Sequence, residues 1–167
     1  MLTIIGCGNL NRSDDAVGVL VAQNLQRFLQ EHPHPGVRVF DCGTAGMEVM
    51  FQARGSTALV IIDASSTGSE PGAVYKVPGE VLEQLPEPSY NLHDFRWDNA
   101  IAAGRKIYKA EFPTDITVYL IEAASLDFGL SLSPVVQQAA EKVYRELVNL
   151  VQQWGIQAEE QQVKGEM

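Results

Sequence analysis

Apolar residues in this chain fall in short blocks, some continuous and some at helical spacing. Leu2 to Gly6 is a short apolar run ending in glycine, the pattern of a buried strand. Ser13 stands where a helix cap is expected. Asp14 and Asp15 follow in the first turn, where the helix dipole favours carboxylates. Val17, Val21, Leu25 and Phe28 then recur at helical spacing. Val37 to Phe40 reads as a second strand, ending at Asp41, and a Gly-Thr-Ala-Gly turn leads into a short helix around 47–54. Ala58 to Ile62 is the most hydrophobic run and ends at Asp63. Continuous apolar strands belong to a sheet covered on both faces, usually a parallel one.

Residues 64–72 form a polar, turn-rich loop before a fourth strand at Ala73 to Val77. The spacing is too short for a helical crossover, so this strand is expected to run antiparallel. The proline-rich segment 78–92 reads mostly as loop. A helix over about 93–109 follows, with Trp97, Ile101, Gly104 and Tyr108 on one face. Ile116 to Glu122 is the fifth strand. Ser133 is expected to cap a long helix with Pro134 at its first position. Val136, Ala140, Val143, Leu147, Leu150 and Trp154 form its buried stripe, and Gly155 is expected to stop it. No repeat or linker interrupts the pattern. The expectation is one domain over 1–155 with a polar, frayed tail at 156–167. Alternating strands and helices predict a three-layer α/β sandwich.

Composition narrows the function. The chain has 167 residues, enough for a core that needs no disulfide or structural metal. Its 12 Lys+Arg against 21 Asp+Glu leave a net charge of −9, which argues against nucleic-acid binding. The two cysteines, Cys7 and Cys42, make no CxxC pair. The opening residues lack the basic region of a signal peptide, and no stretch is apolar for the ~18 residues of a membrane span. A reducing cytoplasm is the expected compartment, with no membrane association.

Ligands of open α/β sheets collect at the carboxyl ends of the strands. Three polar clusters fall there: Gly6-Cys7-Gly8-Asn9 through Asp14-Asp15, Asp41 with Gly43-Thr44-Ala45-Gly46, and Asp63. A dinucleotide reading fails, because Asn11 replaces the third glycine and two carboxylates open the helix that should receive the phosphates. Asp15, Asp63 and His93 combine two hard oxygens with a borderline nitrogen, which suits a divalent metal such as nickel or zinc. The same residues also have ordinary uses. Asp14 and Asp15 can begin a helix, Asp63 can close a turn, and His93 can cap a helix. His32 and His34 lie in a Pro-rich turn and read as solvent-exposed. Cys7 and Cys42 read as small buried residues; a catalytic thiol would need His93 as its base. No G-x-S-x-G elbow supports a serine hydrolase.

Together these pieces resemble the endopeptidases that mature the large subunit of NiFe hydrogenases. The matching residues are Gly6-Cys7-Gly8-Asn9 with Asp14-Asp15, the stretch Asp41-x-Gly43-Thr44-Ala45-Gly46-Met47-Glu48, Asp63 after the apolar strand, Pro71-Gly72, and His93. The resemblance covers about residues 2–154. It implies a phosphorylase/hydrolase-like five-stranded mixed sheet of order 2-1-3-5-4 with strand 4 antiparallel. It also implies an enzyme that removes a C-terminal extension from a nickel-loaded large-subunit precursor. The family's metal-contacting and catalytic positions fall on Asp15, Asp63 and His93, with the nickel carried by the precursor and no organic cofactor. Other readings are a chaperone that holds the precursor without cutting it and an unrelated metal-dependent aminopeptidase.

Overall fold

The computed structural model describes the backbone of residues 1–79, 81 and 97–166, with side chains as far as Trp154. His93 and most of the proline-rich segment lie outside the described residues. The elements are β1 (Leu2–Cys7), a 3-10 turn (Ser13–Ala16), α1 (Val17–Glu31), β2 (Val37–Gly43), α2 (Gly46–Ala53), β3 (Ala58–Ser65) and β4 (Val74–Pro78). Then follow α3 (Trp97–Tyr108), a second 3-10 turn (Lys109–Glu111), β5 (Asp115–Glu122) and α4 (Pro134–Glu166).

The five strands form one sheet of order β2-β1-β3-β5-β4. β1 pairs in parallel with both β2 and β3, and β3 with β5, while β4 runs antiparallel along β5. The order and the reversed strand are those expected. β1 is buried at every residue and β3 at all but its last, because both are central and covered on two faces. Side chains of successive strand residues feed opposite cores. Leu2, Ile4, Val60 and Ile62 meet α1 and α4 through Val17, Val21 and Leu147. Ile5, Leu59, Ile61 and Val118 meet α2 and α3 through Val49, Met50 and Ile101.

Helix α1 lies unusually close to the sheet. A methyl group on Gly18 would stand 2.1 Å from the Ile62 carbonyl oxygen, and one on Gly6 would stand 2.1 Å from the Gly18 carbonyl. These glycines let the start of α1 rest directly on the ends of β1 and β3, where a phosphate or metal site would form.

Two local expectations are corrected, and a third holds. Ser13 does not cap α1; its hydroxyl donates to the Asp127 carbonyl at 2.9 Å, and a 3-10 turn carries the chain into the helix instead. Ser133 stands at the cap position expected of it: its carbonyl accepts the Gln137 N–H at 2.9 Å just before Pro134, and its hydroxyl also donates to Asp14 at 2.8 Å. Helix α4 does not end at Gly155 but continues to Glu166. One glycine costs a helix only about 1 kcal/mol, and the Gln-Ala-Glu-rich sequence beyond it favours continuation.

Candidate active site

A cleft of about 760 Å³ opens at the carboxyl edge of the parallel strands. The connections force this placement: each parallel strand hands the chain to a helix or turn at the same edge, so the polar residues that end the strands converge there. Cys7 and Gly8 after β1, Gly43 and Thr44 after β2, and Asp63 to Thr67 along the end of β3 form its floor. The starts of α2 and α3 and Leu126 form its walls.

Asp15 and Asp63 line this one cleft, although 48 positions of sequence separate them. Asp15 is half-buried in the 3-10 turn, and its Oδ2 accepts the Asn9 N–H at 2.9 Å. Gly8 makes that approach possible. Its φ is +137°, and a methyl group there would stand 1.8 Å from the Asp15 carbonyl. The Gly8 N–H donates to the Gly43 carbonyl at 2.8 Å, which joins the first two glycine-bearing motifs. Asp63 is buried near the end of β3, with Oδ1 accepting the Ala64 N–H at 2.8 Å. Asp98, at the start of α3, adds a third carboxylate to the wall, and no lysine or arginine is among the described lining residues. The cleft therefore favours a cation. Among the described residues no group of three His, Cys, Asp or Glu side chains is close enough to hold a metal ion, and the third expected donor, His93, lies outside them.

Two further carboxylates build the frame. Asp14 is fully buried. It accepts four hydrogen bonds, from the N–H groups of Ala124, Ser125 and Ser133 and from the Ser133 hydroxyl, at 2.7–2.9 Å. Burial alone would raise its pKa, but the bonds from Ser133, Ser125 and Ala124 outweigh burial and hold it below the ordinary range. The neighbouring aspartates thus divide their roles: Asp14 anchors the turn and Asp15 faces the cleft. Glu122 ends β5 and accepts from the N–H groups of Thr67 and Gly68 and the hydroxyls of Ser65 and Thr67. The Thr67 N–H is the largest cause of its lowered pKa, opposed by burial. Glu122 shapes the loop after Asp63. Asp14 belongs to the acidic pair read from the sequence, where nothing separates its role from that of Asp15, and no local motif distinguishes Glu122.

The cysteines are buried and make no disulfide with each other. Cys42 is the extra residue of a bulge: Gly6 pairs with Asp41 and Cys7 with Gly43. Burial, helped by Glu48 and Asp41, pushes the Cys42 thiol up to about 12, which suits packing rather than nucleophilic attack. Asp41 is exposed, accepts from Gln23, and does not line the cleft.

The sequence profile of the hydrogenase maturation protease (HycI) family matches residues 19–150. The chain belongs to the hydrogenase maturation protease family. It is accordingly a peptide hydrolase, an endopeptidase of hydrogenase maturation. Hydrogenase 2 maturation protease of Escherichia coli is 26% identical over 159 residues, covering 94% of each chain. The hydrogenase expression/formation protein HoxM of Cupriavidus necator is 25% identical over 157 residues, 93% of this chain and 76% of that one. The fold matches the E. coli maturating endopeptidase HybD with a TM-score of 0.73 at 24% identity, over 92% of this chain and 93% of that one. The Thermococcus kodakarensis protease HycI gives 0.70 at 21% identity, over 90% and 92%. As in the other maturation proteases compared, the sheet and its covering helices span most of the chain. No helix among the described residues is long and apolar enough to cross a membrane.

Proposed function

We propose that this maturation protease cuts the C-terminal extension from a nickel-loaded hydrogenase large-subunit precursor, with Asp15, Asp63 and His93 meeting the nickel that the precursor carries. The observation behind this reading is the cleft itself: Asp15 and Asp63 face one cavity with no lysine or arginine among its described lining. Two carboxylates in one cleft repel each other, and a cation relieves that repulsion. A nickel held by the substrate would dock between them, with His93 as the nitrogen donor, and so align the scissile peptide.

Hydrolysis then adds water to the peptide carbonyl carbon, moves a water proton to a base, and delivers a proton to the departing amide nitrogen. Asp15 and Asp63 are the groups suited to accept that proton, and the nickel can polarise the carbonyl. The metal enters with the substrate, so selectivity for loaded precursor follows from the same contacts. The reaction belongs in the cytoplasm, where cysteines such as Cys7 and Cys42 remain without a disulfide.

The test is to incubate the protein with nickel-loaded precursor and to follow the loss of the extension by mass spectrometry. Asp15→Asn, Asp63→Asn and His93→Ala should each abolish the mass loss and weaken nickel or cadmium binding, while melting near the wild-type temperature. Wild-type processing by Asp63→Asn or His93→Ala refutes the site. Tight binding of precursor without any mass loss by the wild type would favour a chaperone, and trimming of generic peptides an aminopeptidase.

A further inference from the structure

Strand β3 outlasts its neighbour β1. The β1–β3 ladder ends with Gly6 opposite Ile62, whereas β3 continues along β5 as far as Ser65 opposite Glu122. Beyond Gly6 the chain of β1 stays with β2: Cys7 pairs with Gly43, and the Gly8 N–H donates to the Gly43 carbonyl at 2.8 Å. Asp63, Ala64 and Ser65 are strand residues with one edge paired to β5 and the other open, and all three line the cleft.

In an extended strand, successive residues present their N–H and C=O groups to opposite edges. The Ser65 carbonyl accepts the Ala123 N–H at 2.9 Å, so Ser65 faces β5 and Ala64 faces the open side. Asp63 Oδ1 accepts the Ala64 N–H at 2.8 Å. The Ala64 carbonyl has no hydrogen-bond partner among the described residues, although Ala64 is buried. A buried carbonyl without a partner is uncommon. The Ala64 methyl group packs in the core beneath α1 and α4, so Ala64 lines the cleft with its backbone. Glu122 accepts the N–H groups of Thr67 and Gly68 and draws the following turn back toward β5. Ser66, two positions beyond Ala64, also lines the cleft and makes no backbone hydrogen bond among the described residues.

We propose that the open edge of β3 at Ala64 receives the precursor around its scissile bond as a short added strand, with a precursor N–H donating to the Ala64 carbonyl. This deepens the function proposed above and rests on it. The occupant follows from place. An endopeptidase must hold a peptide backbone against its reacting groups, and this edge adjoins Asp63. Asp63 shares its strand face with Ile61, on the side of α2 and α3, whereas Asp15 comes from the turn into α1, on the other side. A peptide in the gap therefore runs between the two carboxylates. Backbone pairing fixes its position whatever its side chains, and a proline at the paired position is excluded because it has no N–H to give.

The test uses nickel-loaded precursor carrying a synthetic C-terminal segment in which one non-scissile peptide bond at a time is replaced by an ester, removing a single N–H. Binding is read by interferometry and cleavage by steady-state kinetics. The ester at the bond that meets Ala64 should raise Kd and KM about fivefold or more, while esters at the bonds on either side of it behave as the unmodified precursor. Ser66→Pro sets a ring at the same edge and should raise both about threefold or more, with the melting temperature of the wild type. A flat ester series, or equal losses at consecutive bonds, overturns the proposal. So does a loss at one bond combined with wild-type Kd and KM in folded S66P, since the peptide would then pair elsewhere. A wild-type dimer with a flat series also overturns it and makes a second copy the occupant. If the wild type binds precursor without cutting it, the proteolytic reading falls while the Kd series still judges the edge. If it does not bind, both fall.

Discussion

Replacing Gly18 by alanine separates the packing of α1 from the propensity of its residues. On an open helix face the change would stabilise by about 1 kcal/mol. Here the new methyl group would stand 2.1 Å from the Ile62 carbonyl oxygen and 2.5 Å from that of Cys7. Both obstacles are backbone atoms of central strands, not the ends of flexible side chains. Ordinary contact begins at 3.4 Å, so the start of α1 must withdraw by about 1.3 Å. Overpacking of this kind costs about 1–3 kcal/mol and more against rigid backbone, so we expect a net loss of about 1–2 kcal/mol. For a chain of this size that lowers the melting temperature by roughly 2–8 °C. The same movement separates Asp15 from Asp63, the pair proposed to act in cleavage, because Asp15 lies one turn before Gly18 and Asp63 directly follows Ile62. A misplacement near 1 Å lowers the cleavage rate by about 100-fold. Thermal melting and precursor cleavage are the two assays. An unchanged or raised melting temperature together with a wild-type rate would refute the argument that close helix–sheet contact sets the site.

Three further outcomes are expected. Asp14→Ala leaves the N–H groups of Ala124, Ser125 and Ser133 without their acceptor and should cost about 3 kcal/mol or more in urea unfolding; a loss below about 1 kcal/mol would contradict the anchoring role. Glu122 has a folded pKa below its ordinary 4.5, so its stabilisation is present above that pH and is lost as pH falls through the folded value. Glu122→Gln should therefore flatten the acid side of the melting-temperature profile below 4.5, and parallel profiles would count against it. Cys42, with its thiol pushed up to about 12, should resist iodoacetamide in the native protein at about pH 8, and rapid labelling there would show that its burial is misjudged.

Much of this architecture is readable from local pattern. A strand covered on both faces must be apolar throughout, so β1 and β3 announce themselves whatever their partners, and a strand so close behind β3 as β4 can only turn back. Asp15 and Asp63 are readable as cleft residues because parallel strands present their carboxyl ends at one edge. His93 stands in the sequence as a donor, outside the described residues. What local pattern does not carry is the division of labour between neighbours. Asp14 and Asp15 are the same residue type one position apart, and their roles differ because the donors that bury Asp14 come from 110–119 positions away. Glu122 looks like any strand end until the loop at Thr67 and Gly68 folds over it. Ser13 resembles a helix cap, yet it lies within a 3-10 turn and its hydroxyl goes to the distant Asp127 carbonyl. Hydrophobic burial is set by periodicity along the chain, whereas a polar group's role depends on which distant partner the folded chain brings within about 3 Å.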